Sequence, residues 1–423
     1  MIINRKLQLR LLSKNIWYSY IDGMAFCFML GIANPYLGIY ILRFGGPQEL
    51  VSLITSVQPI VLATVSLFGA SYASSFQKKK ALLIPHSILM RMFVLLFAFI
   101  PLLPHTYRAW SFFLIWAIMN IPWAFCNLSW APMMNHIIPE EQRGRFFGTR
   151  NALTGVTTLI GTFITGVVLT KYPFDMAFSG LFAVGFISVM VSMFFLARHI
   201  EPVVPEAGES KKTIRSDNSR IFELDIRPNL QPFTDPQYGS IFSLSCLAIF
   251  IFHIGYSMAV PLFTLRQVNQ LAWNNSLIAI IANVSGLTAF LGSYLSGRAA
   301  DRWGFRYVLF FSTLLSILPP LIWATSTQFA ILVTASMLWG FTGSAYMICF
   351  TFMVLAVAPR TNPSRFVAMN TVIGNLAGGL GPILGLFLVK IPWLNIEGSL
   401  MAAATIMFAG ALFSAVLTKR GTF

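Results

Sequence analysis

The stretch GRAADRWGFR, Gly297 to Arg306, packs three arginines, an aspartate and two glycines between two apolar runs, Ser276 to Ser296 and Tyr307 to Thr325. Each run has the length of about 20 residues that a helix needs to cross the roughly 30 Å hydrocarbon core of a bilayer. The stretch therefore reads as a tight connection between two membrane helices. Its glycines would permit the turn, and Asp301 would meet the positive end of a helix dipole.

Outward from that point the same alternation fills the chain. Twelve apolar runs follow one another: Ile16 to Leu42, Leu50 to Ala73, Ala81 to Leu103, Trp110 to Ile138, Phe147 to Thr170 and Met176 to Leu196; then, after a polar segment, Ile241 to Leu265, Ser276 to Ser296, Tyr307 to Thr325, Phe329 to Val357, Phe366 to Val389 and Ser399 to Leu417. Composition agrees. The 423 residues are 56% hydrophobic and 10% charged, with a mean hydropathy of +0.72, whereas soluble domains carry about 25% charged residues. Only helices and closed barrels satisfy the backbone in lipid. Runs of helix length exclude a barrel, whose strands alternate over about ten residues.

The net charge of +15 would suggest nucleic acid if it lay on a soluble face with interleaved aromatics. Instead it fills the gaps between runs, as topogenic charge does. Twenty-three of the 29 lysines and arginines lie with the termini, the central segment and the even-side loops, against five on the other side: Arg43, Arg108, Lys171, Arg266 and Lys390. This split predicts a multi-pass protein of the cytoplasmic (plasma) membrane with both termini cytoplasmic. Arg5, Lys6, Arg10 and Lys14 precede a run that continues past Asp22, which reads as a retained first span rather than a cleaved signal.

Cys27, Cys126, Cys246 and Cys349 all fall in spans and no pair has metal-ligand spacing, so no metal or cofactor is expected. A GxxxxGK[ST] loop, an HExxH motif and a catalytic triad loop are all absent, which argues against an enzyme and against ATP coupling.

Symmetry orders the spans. PEEQRGRFFGTRNALTGVTTLIG from Pro139 aligns without a gap on PRTNPSRFVAMNTVIGNLAGGLG from Pro359, pairing Arg145 with Arg365 and Gly161 with Gly381 at an offset of 220 residues. Pro35 precedes Pro261 by 226 residues and Gly69 precedes Gly297 by 228. A collinear duplication of six spans predicts two parallel-repeat bundles, 1–196 and 241–423, joined by a polar cytoplasmic linker, 197–240.

Gly297, Asp301, Arg302, Gly304 and Arg306 resemble the signature between the second and third helices of each half in the major facilitator superfamily of secondary transporters. The resemblance implies an all-α integral membrane fold of twelve helices, alternating access, and a cytoplasmic gate in which Asp301 engages backbone amides and a nearby arginine. In the first half Gly69 is kept, but Ala73, Ser74 and Phe76 replace the aspartate, arginine and second glycine. Any charged gate is therefore expected in the second half alone. PEEQRGRFFGTR is similar to the loop after the fourth span in that superfamily, with Arg143 and Arg145 anchoring helices.

Ionisable residues inside spans are costly and mark function by default. Asp22 and His253 are proton-coupling candidates, and Arg91 is a buried charge that could pair with Asp22. Asn120, Trp123, Asn127 and Trp130 recur at helical spacing on one face of the fourth span, as a cavity lining for a ligand with hydroxyls and apolar faces would. Tyr18, Gln58, Tyr256, Asn283, Tyr346 and Asn375 complete the cavity candidates. The resulting expectation is a monomeric, proton-coupled carrier of a small organic solute. The alternatives are a drug-type efflux antiporter or an uncoupled facilitator of the same fold; a non-transporting receptor or scramblase is the competing class.

Overall fold

The computed structural model describes residues 2–201, 227–359 and 363–419. Among them twelve helices are long and apolar enough to span a bilayer. The first six are α1 (Leu11–Arg43), α2 (Gln48–Phe68), α3 (Lys79–Phe97), α4 (His105–Ile137), α5 (Glu140–Lys171) and α6 (Phe174–Ala197). The second six are α7 (Gly239–Gln270), α8 (Asn275–Trp303), α9 (Phe305–Thr325), α10 (Phe329–Val357), α11 (Arg365–Val389) and α12 (Asn395–Val416). Most of the proposed linker, including Ile221 and Phe222, lies outside the described residues. Its described end forms a short helix, Arg227–Thr234, that packs on α7 and α11.

The Gly297 to Arg306 stretch is not a loop. Helix α8 runs through Gly297 and Asp301 to Trp303, and Gly304 alone makes the turn at φ +87°, a conformation that favours glycine. Asp301 thus sits in the last turn of α8, where a carboxylate gains nothing from the dipole. The clustered charges made a helix end look like a connection. Similarly α5 begins at Glu140, seven residues before its apolar run, because Pro139 precedes it and Glu140 and Glu141 occupy its first turn.

The packing repeats as the sequence does. Helix α1 packs on α5 and α6, α2 on α4, and α3 on α4 and α6; α7 packs on α11 and α12, α8 on α10, and α9 on α10 and α12. Gly161 and Gly381 show why the duplication kept glycine. A Cβ on Gly161 would lie 2.4 Å from the Phe28 carbonyl oxygen of α1, and one on Gly381 would lie 2.4 Å from the Ile254 carbonyl oxygen of α7. Small residues let membrane helices approach this closely.

The halves meet through α2 against α11 and α5 against α8. The clearest polar contacts between them lie at the end of the bundle away from the termini. There the Asn275 amide donates to the Leu169 carbonyl at 3.0 Å, Thr170 and Ser276 hydroxyls lie 2.8 Å apart, and Lys390 pairs with Glu49 at 3.1 Å. Nearer the terminal end, a Cβ on Gly155 or Gly148 of α5 or on Gly297 of α8 would meet nothing within 4 Å.

Candidate substrate and coupling site

In the first half, α1, α3, α4, α5 and α6 enclose a cavity of about 270 Å³. Asp22, Arg91, Trp123, Asn127 and Trp130, which lie far apart in sequence, all line it. Asp22 and Arg91 are 4% and 2% exposed, which makes their partners decisive. Their closest charged atoms are 3.9 Å apart, and a third residue joins them. The Ser192 hydroxyl of α6 donates to Asp22 Oδ1 at 2.6 Å and accepts from Arg91 Nη2 at 2.6 Å. Arg91 also donates to the Val189 and Ser87 carbonyls at 2.8 and 3.1 Å. The relay ties α1, α3 and α6 and leaves a carboxylate facing the cavity.

The aromatic wall is equally specific. Trp123 stacks on Phe26 with ring centroids 5.0 Å apart, and the Arg150 guanidinium lies 4.1 Å from the Trp130 ring centre. Trp130 Nε1 is buried and, among the described residues, has no hydrogen-bond partner. Asn127 Nδ2 donates to the Trp123 carbonyl within its own helix. Asn120 does the same with Trp116 and joins Gln58 beside a void of only about 20 Å³ that shares Phe26, Leu30, Met90 and Trp123 with the main cavity. The fourth-span face is therefore one continuous lining that narrows at Asn120.

The second-half candidates form a separate cluster. Tyr346 and His253 Nδ1 are 3.0 Å apart, and Tyr256 stacks on His253 and, at 3.9 Å and 4°, on Trp339. Gly378 brings His253 to the seam between the halves: its Cβ position is 3.4 Å from both His253 Nε2 and Pro59 of α2. Asn283 on α8 keeps a buried Oδ1 that has no hydrogen-bond partner among the described residues. Asn375 is half-buried on α11. Tyr18 faces away from the first-half cavity, its ring against Phe195 and His199 of the α6 end.

Asp301 and Arg302 are exposed, and among the described residues Asp301 forms no ion pair. Glu49 pairs with Lys390 across the halves at the opposite end. Two other basic residues of that end are also matched, Arg108 by Asp175 and Arg266 by Glu397, each at 2.8 Å.

Sequence reading missed four contributors. Arg150 was grouped with topogenic charge, although it lies one helical turn before Thr154 on a wall of the cavity. Ser192, within the run FISVMVSMFF, carries no signal that distinguishes it from packing. Phe26 and Trp339 are aromatics whose role depends on a partner from another helix.

Two repeated six-helix bundles that pack alike, meet along two helix pairs and hold a buried charge relay beside a cavity define a polytopic solute transporter. The chain belongs to the Major Facilitator Superfamily, whose family model matches residues 23–267 and 245–422. It is a transporter and a multi-pass membrane protein, not an enzyme. It is 22% identical over 373 residues to the multidrug resistance protein MdtG of Proteus mirabilis, covering 85% of this chain and 86% of that protein. Similarity to the multi-drug resistance efflux pump PmrA of Streptococcus pneumoniae is 22% over 363 residues, 84% of each chain. The nucleoside transporter NupG shares the fold at TM-score 0.68 and 14% identity, over 97% of this chain and 99% of that one. A POT family transporter in complex with 5-aminolevulinic acid does so at 0.70 and 12%, over 97% and 96%.

Proposed function

We propose that this protein exports aromatic, amphipathic organic solutes from the cytoplasm in exchange for protons, binding them in the Asp22 cavity. The observation that carries this reading is the lining itself. Phe26, Trp123 and Trp130 supply apolar faces, the Asn127 amide supplies a hydrogen-bonding group, and a buried carboxylate shares the space. A few placed polar groups on an aromatic wall suit ligands recognised mainly by apolar area. The name of the PmrA relative, a multi-drug resistance efflux pump, supports efflux, and that of MdtG, a multidrug resistance protein, supports a drug-like solute.

The charge split supports cytoplasmic termini in the plasma membrane. Protonation of Asp22 would remove its charge from the relay, leave Arg91 on Ser192 and carbonyl oxygens, and so link proton occupancy to the packing of α1, α3 and α6.

Ligand-induced thermal shift of the purified protein against a panel of aromatic amphipathic drugs and dyes tests the cavity. Hits should lose their stabilising effect in Trp130→Ala and Arg150→Gln and keep it in Tyr346→Phe. Hits that are indifferent to the first two substitutions would place the binding site elsewhere.

A further inference from the structure

On the outer flank of the second half, α8, α9 and α10 border a groove of about 860 Å³, separate from the cavity above. That volume falls within the range of roughly 300–1,000 Å³ typical of ligand sites. The floor and walls are apolar and aromatic. Trp303, Tyr307 and Phe311 line it and are each more than half exposed. At its terminal end stand two guanidinium groups, Arg298 and Arg302, one helical turn apart on α8. Among the described residues neither forms an ion pair: Arg298 donates to the Tyr294 hydroxyl and lies over its ring, and Arg302 lies beside the Trp303 ring. Asp301 is not part of the groove lining. Aromatic residues at the same level are those that settle at a membrane interface.

From this juxtaposition we infer that the groove is a binding site for an anionic phospholipid of the cytoplasmic leaflet, with its phosphate on Arg298 and Arg302 and an acyl chain along Phe311 and Leu315. Charge complementarity selects the occupant. A solute lacking a chain would leave the apolar length of the groove unfilled, and a zwitterionic lipid would bring no net charge to two unpaired guanidiniums. The site gives Arg302 a role, and it places a lipid against α8, α9 and α10 beside Trp303 and Tyr307.

Native mass spectrometry of the full chain, released from nanodiscs of phosphatidylglycerol mixed with phosphatidylcholine, tests the inference. The wild type should retain phosphatidylglycerol selectively. Arg298→Gln and Arg302→Gln should each weaken retention about fivefold, the factor that about 1 kcal/mol per basic residue gives. Ala299→Trp, which fills the groove and keeps both charges, should weaken it as well, and Lys78→Gln at the same membrane level should not. Equal retention of the two lipids overturns the inference, as does retention of phosphatidylglycerol that survives Ala299→Trp or falls equally in Lys78→Gln.

Discussion

Ser192 governs what Asp22 and Arg91 can do. Its single hydroxyl satisfies one acceptor and one donor that would otherwise face each other at 3.9 Å in a buried site. Removing one member of a buried ion pair costs about 3–5 kcal/mol because the other charge is left without a partner. Arg91→Met should therefore lower the apparent melting temperature sharply, and the double variant with Asp22→Asn should recover part of the loss; strictly additive losses would show that the two residues are independent. Ser192→Ala removes hydrogen bonds from two charged groups, at about 1.5–3 kcal/mol for each such bond, and should destabilise about as much as Arg91→Met in the same melting assay. Asp22 and Arg91 were legible in the sequence because charge in an apolar run is conspicuous. Ser192 was not, since a hydroxyl in a membrane helix normally returns its proton to the carbonyl one turn back.

At the scale of elements, connections turn out to be held by residues distant in sequence. Glu201, just beyond α6, accepts from the Lys79 and Lys80 backbone amides at 3.1 and 2.9 Å, and so caps the N-terminus of α3, whose own Lys78 supplies no side-chain cap. His136 of α4 lies 3.3 Å from the same carboxylate, and Asn15 of α1 makes two hydrogen bonds to the Ile200 backbone. Burial holds the neighbouring His199 imidazole below its ordinary range, so it is neutral in this clasp. Glu201→Ala should cost about 1–2 kcal/mol, as loss of a good cap does, and should expose the Lys78 to Lys80 segment to trypsin; unchanged proteolysis would deny the clasp its role. At the opposite end, the Glu49–Lys390 pair is partly exposed and is worth no more than about 1 kcal/mol. Lys390→Gln should shift the open-to-closed ratio of that end by up to about fivefold, read by distances between spin labels on α2 and α11. The GRAADRWGFR stretch belongs to this scale too: charge density marked a helix end but concealed that α8 continues to Trp303.

For the whole molecule, periodicity was sufficient to foresee twelve membrane-length helices, because lipid allows few alternatives. Which faces meet was not foreseeable. Asn120, Trp123, Asn127 and Trp130 predicted one lining, but only the fold shows that Arg150 closes it and that Tyr346 and His253 belong to a second cluster across the seam. The central claim is that movement of solute between the two sides is coupled to protons at Asp22. Proteoliposomes with an imposed pH gradient test it, with wild type and Asp22→Asn each carrying a cavity ligand found by thermal shift. The wild type should accumulate the ligand against its gradient, and Asp22→Asn should lose accumulation while still exchanging ligand at zero gradient. Accumulation by Asp22→Asn equal to that of the wild type would contradict the account.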